Sequence, residues 1–257
     1  MACAVLHEGA AHIALMSPDG SDLSEVTEGD SVDLAPSWVP GSSTELVFQS
    51  AGIGRDRQGM PVTYGAAVVQ KLDLAKGEVS LLHEERGQDL LGPQVGADGS
   101  LYFIRRPYRT VGGGSFFRSL LDFVLFPARL LYALFQYLNF FTARYTGRPL
   151  TTAGGPERKG ADARQMLIWG NLIEADGAAR DGGPGDEPPA IVPPSWQLVR
   201  RRGGRAEVLA SGVVSFDLDG SGGLVYSNGS AVYHRDASGR AERLCTGEHI
   251  EQVVALS

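Results

Sequence analysis

Short runs in which apolar and polar residues alternate recur along the chain, and each run ends in a Gly-, Asp- or Asn-containing turn. HIALM is followed by SPDG, AVVQKLDL by AKG, and VVSFDL by DGSGG; LYFIRR itself follows ADGS. A period of two predicts half-buried β-strands. The glycines that end the runs supply the positive φ that tight hairpin turns require. Strands of about five residues joined by such turns predict antiparallel meanders.

Counted outward, the runs make three sets of four. The first is Ala35–Val39, Glu45–Gln49, Ala66–Leu72 and Glu78–His83. The second is Gly92–Val95, Leu101–Arg105, Trp196–Arg200 and Arg205–Ala210. The third is Val213–Asp217, Gly223–Ser227, Ala231–Arg235 and Ala241–Cys245. Equivalent turns at Gly41, Gly99 and Gly220 lie 58 and 121 residues apart. Both intervals become 44 once Ala51–Tyr64, Thr110–Gln165 and Ala175–Ser195 are set aside as loops. A period in the low forties fits the four-stranded blade of a β-propeller.

The first copy, HIALMSPDGSDLSEVTEGDSVDLAPSWVPGSSTELVFQS, resembles the WD-like repeat of TolB-type β-propellers. The matching residues are Met16, Asp19, Gly20, Val26, Thr27, Pro36, Trp38, Pro40 and Gly41, and fragments return as ADGS at 97–100 and LCTG at 244–247. The resemblance spans about 170 residues. It departs at Val39, where the pattern has Ser, and at Gly41, where it has Asp. It implies an all-β propeller, one domain over 1–257, that acts by binding other molecules; the strand count sets it at about four four-stranded blades, with further blades on a missing N-terminal segment, or two open half-rings pairing into a larger ring, as the alternatives. Its periplasmic location is not carried over. The strands Ala2–His7, His12–Met16 and Leu23–Thr27 lack an inner strand, and His249–Ala255 lacks a blade. They are expected to combine and close the ring. QMLIWGNLIEA (165–175) is left as an extra strand or a short helix.

One segment breaks the pattern. Within the insertion at 110–165, residues 116–141 hold 19 apolar residues out of 26 and seven of the ten Phe. At helical spacing Arg118, Asp122, Arg129 and Gln136 fall on one narrow stripe, which predicts an amphipathic helix, kinked at Pro127. A single membrane crossing would leave Asp122 and Arg129 in hydrocarbon at ~2.5–3.5 kcal/mol each. Both ends also return to one blade, so they lie on the same side of any membrane. A helix lying in the interface meets both constraints. The expected docking face is Phe116, Phe117, Leu121, Phe123, Val124, Phe126, Leu130, Leu131, Leu134, Phe135, Leu138, Phe140 and Phe141. The basic flank is Arg105, Arg106, Arg109, Arg144, Arg148, Arg158 and Lys159. Packing on the propeller or on a partner protein are the competing readings.

Charge sharpens that reading. The whole chain carries net −7, which by itself argues against nucleic acid and anionic membranes. Yet residues 101–170 hold ten basic and three acidic side chains, net +7, so the remainder carries −14. Basic residues near an anionic leaflet contribute on the order of 1 kcal/mol each. The 34 glycines fit a fold of many turns, and the Gly/Pro-rich stretch at 177–195 is expected to be a flexible linker. With only Cys3 and Cys245 there is no disulfide scaffold. No basic leader precedes the first strand, so a cytoplasmic, membrane-peripheral location is expected, with the periplasm open if the N-terminus is truncated.

Candidate chemistry is sparse. Asp217-Leu-Asp219-Gly-Ser-Gly-Gly opens like a calcium loop, but Asn228 stands where the bidentate Glu belongs, and a hairpin turn is the better reading. His7, His12, His83, His234 and His249 show no ligand spacing. No G-x-S-x-G elbow occurs, and Gly52, Gly54 and Gly59 read as a loop. Arg200–Arg202 with Arg205 reads as a solvated hairpin. No catalytic residue, cofactor or metal is expected. The expected function is a non-enzymatic interaction scaffold at the membrane surface, with an unidentified protein partner, no nucleic acid, and homodimerisation through propeller edges or the apolar helix. The alternatives are a gating propeller for a separate enzyme, or a small-ligand or peptide binder with Trp38 and Trp196 lining its opening.

Overall fold

The alternating runs become strands, and the turn glycines sit where the pattern requires them. The computed structural model describes residues 1–7, 9–108, 165–168, 171–174 and 187–256, and every helix or strand element among them is β. Strands β1 (Ala2–His7), β2 (Ala10–Leu15) and β3 (Ser24–Glu25) come first. A first sheet follows from β4 (Ser31–Trp38), β5 (Glu45–Arg55), β7 (Val68–Asp73) and β8 (Glu78–His83), with β6 (Pro61–Tyr64) beside β5. The second contains β9 (Gln88–Val95), β10 (Leu101–Pro107), β13 (Gln197–Arg202) and β14 (Arg205–Ser211). The third contains β15 (Ser215–Leu218), β16 (Leu224–Ser227), β17 (Ala231–Arg235) and β18 (Ala241–Thr246). Each is a meander in chain order, and its four strands are the four read from the sequence.

Burial falls from the second strand of each sheet to the fourth. β5 is buried from Leu46 to Ser50 and β10 nearly end to end, whereas β8, β14 and β18 are largely exposed. Second strands are covered on both faces because consecutive sheets pack on each other. One cluster joins Ile13 to Leu46, Phe48 and Leu72, thus the N-terminal strands to the first sheet. A second joins Val47 and Val69 to Leu90, Phe103 and Val199. A third joins Leu91, Ile104 and Leu198 to Val213, Phe216 and Leu224. Each such side chain contributes about 1.5–3 kcal/mol on full burial.

Two sequence expectations are corrected and one pair of alternatives is decided. Residues 51–64 are no loop: β5 runs on to Arg55 and pairs with β6, Ile53 opposite Tyr64. The arm is held by an Arg55–Asp30 ion pair at 2.6 Å, and its turn by Asp56 accepting the N–H groups of Gln58 and Met60. Its polar sequence concealed it because most of the arm is solvated. Nor is the end of the 177–195 segment a linker. Val192 is buried in the third cluster, Ile191 packs on it, and Asn228 Nδ2 donates to the Pro188 carbonyl at 3.0 Å. Two apolar residues between prolines sufficed to dock it. Residues 165–168 and 171–174 form a hairpin, β11 (Gln165–Ile168) and β12 (Asn171–Glu174), so the helical alternative falls. Lastly, His249–Ala255 forms no ladder, and β1–β3 join the first sheet through a parallel contact of Ala11 with Val32. Among the described residues no ladder joins β1 to 250–255. The predicted helix at 116–141 lies outside them.

Candidate functional site

The first strands of the first two sheets share a local design. In β4 and β9 a dipeptide, Ala35-Pro36 or Gly92-Pro93, bulges out opposite a single buried phenylalanine. Leu34 pairs with Gln49 and Ser37 with Val47, leaving Phe48 opposite Ala35-Pro36; Leu91 pairs with Ile104 and Gln94 with Tyr102, leaving Phe103 opposite Gly92-Pro93. Such a two-against-one bulge sharpens the local twist. Ala35 and Gly92 adopt nearly the same left-handed conformation, φ +52° and +56°. An aspartate precedes each bulge and is buried. Asp33 accepts from the Ser50 hydroxyl at 2.7 Å, and Asp89 accepts from Ala67 N–H and Arg106 Nε.

Successive first strands are tied by repeating hydrogen bonds. Leu90 N–H donates to the Ala67 carbonyl, just before the third strand of the preceding sheet; Val213 N–H donates to the Trp196 carbonyl in the same way. Ile250 N–H donates to the Gly229 carbonyl at 2.9 Å, again just before a third strand. Side chains repeat the relation. Gln94 Oε1 accepts Leu218 N–H at 3.1 Å, and Asp217 Oδ2 accepts Ala255 N–H at 2.8 Å. Ser215 Oγ accepts Val253 N–H at 3.1 Å. Residues 250–255 thus stand to the third sheet as β9 stands to the first and β15 to the second. They form a fourth inner segment without a sheet of its own.

These four segments surround a cleft of about 590 Å³. Its walls are Ala35–Ser37, Gly92–Gln94, Ser215–Asp217 and Glu251–Val254, with Ile104 behind. Pro36, Pro93 and Phe216 give it apolar surface, while Asp217 and Glu251 are its only ionisable groups among the described residues. The Gln94 amide is fixed at both ends, since its Nε2 also donates to the Phe216 carbonyl at 3.4 Å. The Asp217 carboxylate is fixed likewise, because its Oδ1 accepts Leu218 N–H. A pocket whose few polar groups are held in place is the usual form of a binding site.

Of the residues singled out from sequence, the apolar docking face and Arg109, Arg144, Arg148, Arg158 and Lys159 lie outside the described residues. Arg106 is an interior residue: it is 6% exposed, pairs with Asp89 at 3.0 Å and stacks over the Trp196 ring at 4.7 Å. Burial pushes its guanidinium pKa down, against the pull of Asp89. Arg105 spans Glu85 and Gln197. Both arginines are thus engaged by partners at the second sheet. Trp196 packs in the core and Trp38 is exposed, and neither lines the cleft.

Asp219 is a turn residue. It accepts Ser221 N–H, Ser221 Oγ and Gly223 N–H through Oδ1, and its Oδ2 lies 3.0 Å from His234 Nε2. Burial pushes its pKa up, but the hydrogen bonds from Ser221, His234 and the backbone outweigh this and bring it to about 2. Among the described residues no His, Cys, Asp and Glu group is arranged to hold a metal ion. None of their helices is long and apolar enough to cross a membrane.

The cleft residues were not foreseen from sequence. The signal was present in the twin strings Asp-Leu-Ala-Pro at 33–36 and Asp-Leu-Leu-Gly-Pro at 89–93, which mark two bulged inner strands. The third wall carries no such mark.

No family model matches the chain, and no curated protein matches it. Among solved structures it is similar to the crystal structure of TolB from Acinetobacter baumannii, at 14% identity and a TM-score of 0.25. The match covers 97% of this chain and 65% of that one, so the chain spans just under two thirds of that protein's length. The all-β assignment rests on the sheets themselves.

Proposed function

We propose that the chain is a non-enzymatic propeller of TolB-like repeats that binds partners at its central cleft and is held at an anionic membrane surface by the insertion at 110–165. On this reading the ring has four blades. The fourth is composite, with 250–255 as its inner strand and β1, β2 and β3 as the outer three. The observation that carries the reading is the convergence of four equivalent inner segments on one cleft. Pairing supports it too: among the described residues β1 is bonded on one edge alone, to β2, and a free edge is a template for another strand.

Membrane docking rests on the sequence, on the apolar segment at 116–141 with its one narrow polar stripe and with Arg109, Arg144, Arg148, Arg158 and Lys159 around it. An apolar face with basic neighbours binds anionic lipid by burial and by charge together. Co-sedimentation of the full chain with phosphatidylserine-containing vesicles tests it. Binding should be lost on deleting 112–160 and weakened by salt. Failure of the intact chain to bind at low salt overturns the membrane role. Capture of a protein by the deleted chain as well as the intact one would assign that partner to the propeller instead.

A further inference from the structure

The cleft has an uneven chemistry. Asp217 and Glu251 line it, and among the described residues no Lys, Arg or His does. Both Asp217 oxygens are oriented by backbone N–H groups, at 3.1 Å from Leu218 and 2.8 Å from Ala255. Glu251 is exposed and makes no ion pair among the described residues. Pro36, Pro93 and Phe216 supply an apolar wall beside these carboxylates.

We propose that the cleft binds a basic side chain, guanidinium or ammonium, presented by an extended peptide segment of a partner. Charge complementarity selects the cation, since a concave site lined by one sign of charge concentrates the opposite one. Apolar surface beside the carboxylates selects a side chain with an alkyl stem, which packs while its head stays at the polar groups. An aromatic neighbour such as Phe216 further favours a cation. A volume of about 590 Å³ exceeds what one side chain fills, which leaves room for the flanking peptide. This names the partner chemistry for the proposed interaction module. It rests on the cleft being that module's binding opening, and it does not depend on membrane docking.

The test titrates the full chain with a capped Ala-Ala-Arg-Ala-Ala peptide, with the same peptide carrying citrulline, and with free agmatine. Citrulline keeps the shape and removes the charge. The arginine peptide should bind about tenfold more tightly than the citrulline peptide, as expected for a charge-assisted contact, and should lose affinity with added salt. Glu251→Gln should weaken it several-fold while leaving the melting temperature unchanged, since Glu251 is solvent-exposed. Equal binding of the citrulline peptide, an unaffected Glu251→Gln variant, or no binding at millimolar peptide overturns the proposal. Agmatine binding as tightly as the peptide overturns its peptide part. Vesicle binding measured on the same Glu251→Gln sample separates this outcome from failure of the membrane role, because that variant should still co-sediment.

Discussion

The Asp217 carboxylate accepts the backbone N–H of Ala255 at 2.8 Å, across 38 residues of sequence. With Ser215 it holds the last inner segment in line where a β-ladder is missing. Replacing Asp217 by Ala removes the acceptor and should cost about 1–2 kcal/mol. Amide exchange at Val253 and Ala255 should accelerate more than at β16. Asp217→Asn keeps a carbonyl acceptor and should preserve most of the protection.

Arg106 and Asp89 form the one buried ion pair of the second sheet's first hairpin, with Trp196 over the guanidinium. Removing one partner strands the other charge, so Arg106→Ala should destabilise by about 3–5 kcal/mol in denaturant unfolding. The double variant Arg106→Met, Asp89→Asn should lose less, because Asn can still accept Ala67 N–H and no buried charge remains. Equal losses in the two would contradict an electrostatic origin.

Ala35 occupies a left-handed backbone position that costs a non-glycine residue about 1–2 kcal/mol, and Gly92 holds the same place in the next sheet without that cost. Ala35→Gly should therefore be neutral or stabilise by up to about 1 kcal/mol, while Gly92→Ala should destabilise by about 1–2 kcal/mol. Opposite signs in a thermal melt would confirm that the two bulges are equivalent.

The folded-state pKa of Asp219, about 2, lies below its unfolded value near 3.9. Ionised Asp219 therefore stabilises the fold above pH ~4, and this contribution is lost as pH falls from ~4 toward ~2. The melting temperature of Asp219→Asn should be flatter than wild type over that interval and should differ little from it in shape above pH 5. An unchanged acid limb in the variant would contradict the assignment.

The sequence disclosed what short-range pattern controls. All twelve strands of the three four-stranded sets follow from alternation and turn glycines, because one face of each is buried and register is then strongly specified. The β5–β6 arm escaped notice since Arg57, Gln58 and the exposed Met60 give no buried face, and what fixes it is a ladder and an Arg55–Asp30 pair between residues distant in sequence. Docking of Ile191 and Val192 escaped for a different reason. It depends on Gly229, where a Cβ would stand 2.1 Å from Ile191 Cγ1, and nothing in local sequence links positions so far apart. The cleft was hidden in the same way: Gln94 meets Leu218 across 124 residues. Arg106 looked like a surface charge until Asp89 and Trp196 were placed around it.

Whether the ring closes is decided at the edge between β1 and the last inner segment. In the third sheet Phe216 pairs with Tyr226, and Asp217 with Val225. Carrying that register to the composite blade sets Ala255 opposite Met1, Val254 opposite Ala2 and Val253 opposite Cys3. Directly opposed antiparallel residues lie within disulfide reach. The decisive experiment is oxidation of a Val253→Cys, Cys245→Ser variant, read by non-reducing electrophoresis and peptide mass. Ring closure predicts an intramolecular disulfide in the monomer between Cys3 and the thiol introduced at position 253. It should form faster than any in a Glu251→Cys, Cys245→Ser control. Free thiols throughout, or a disulfide found only between two copies, would contradict a ring closed within one chain.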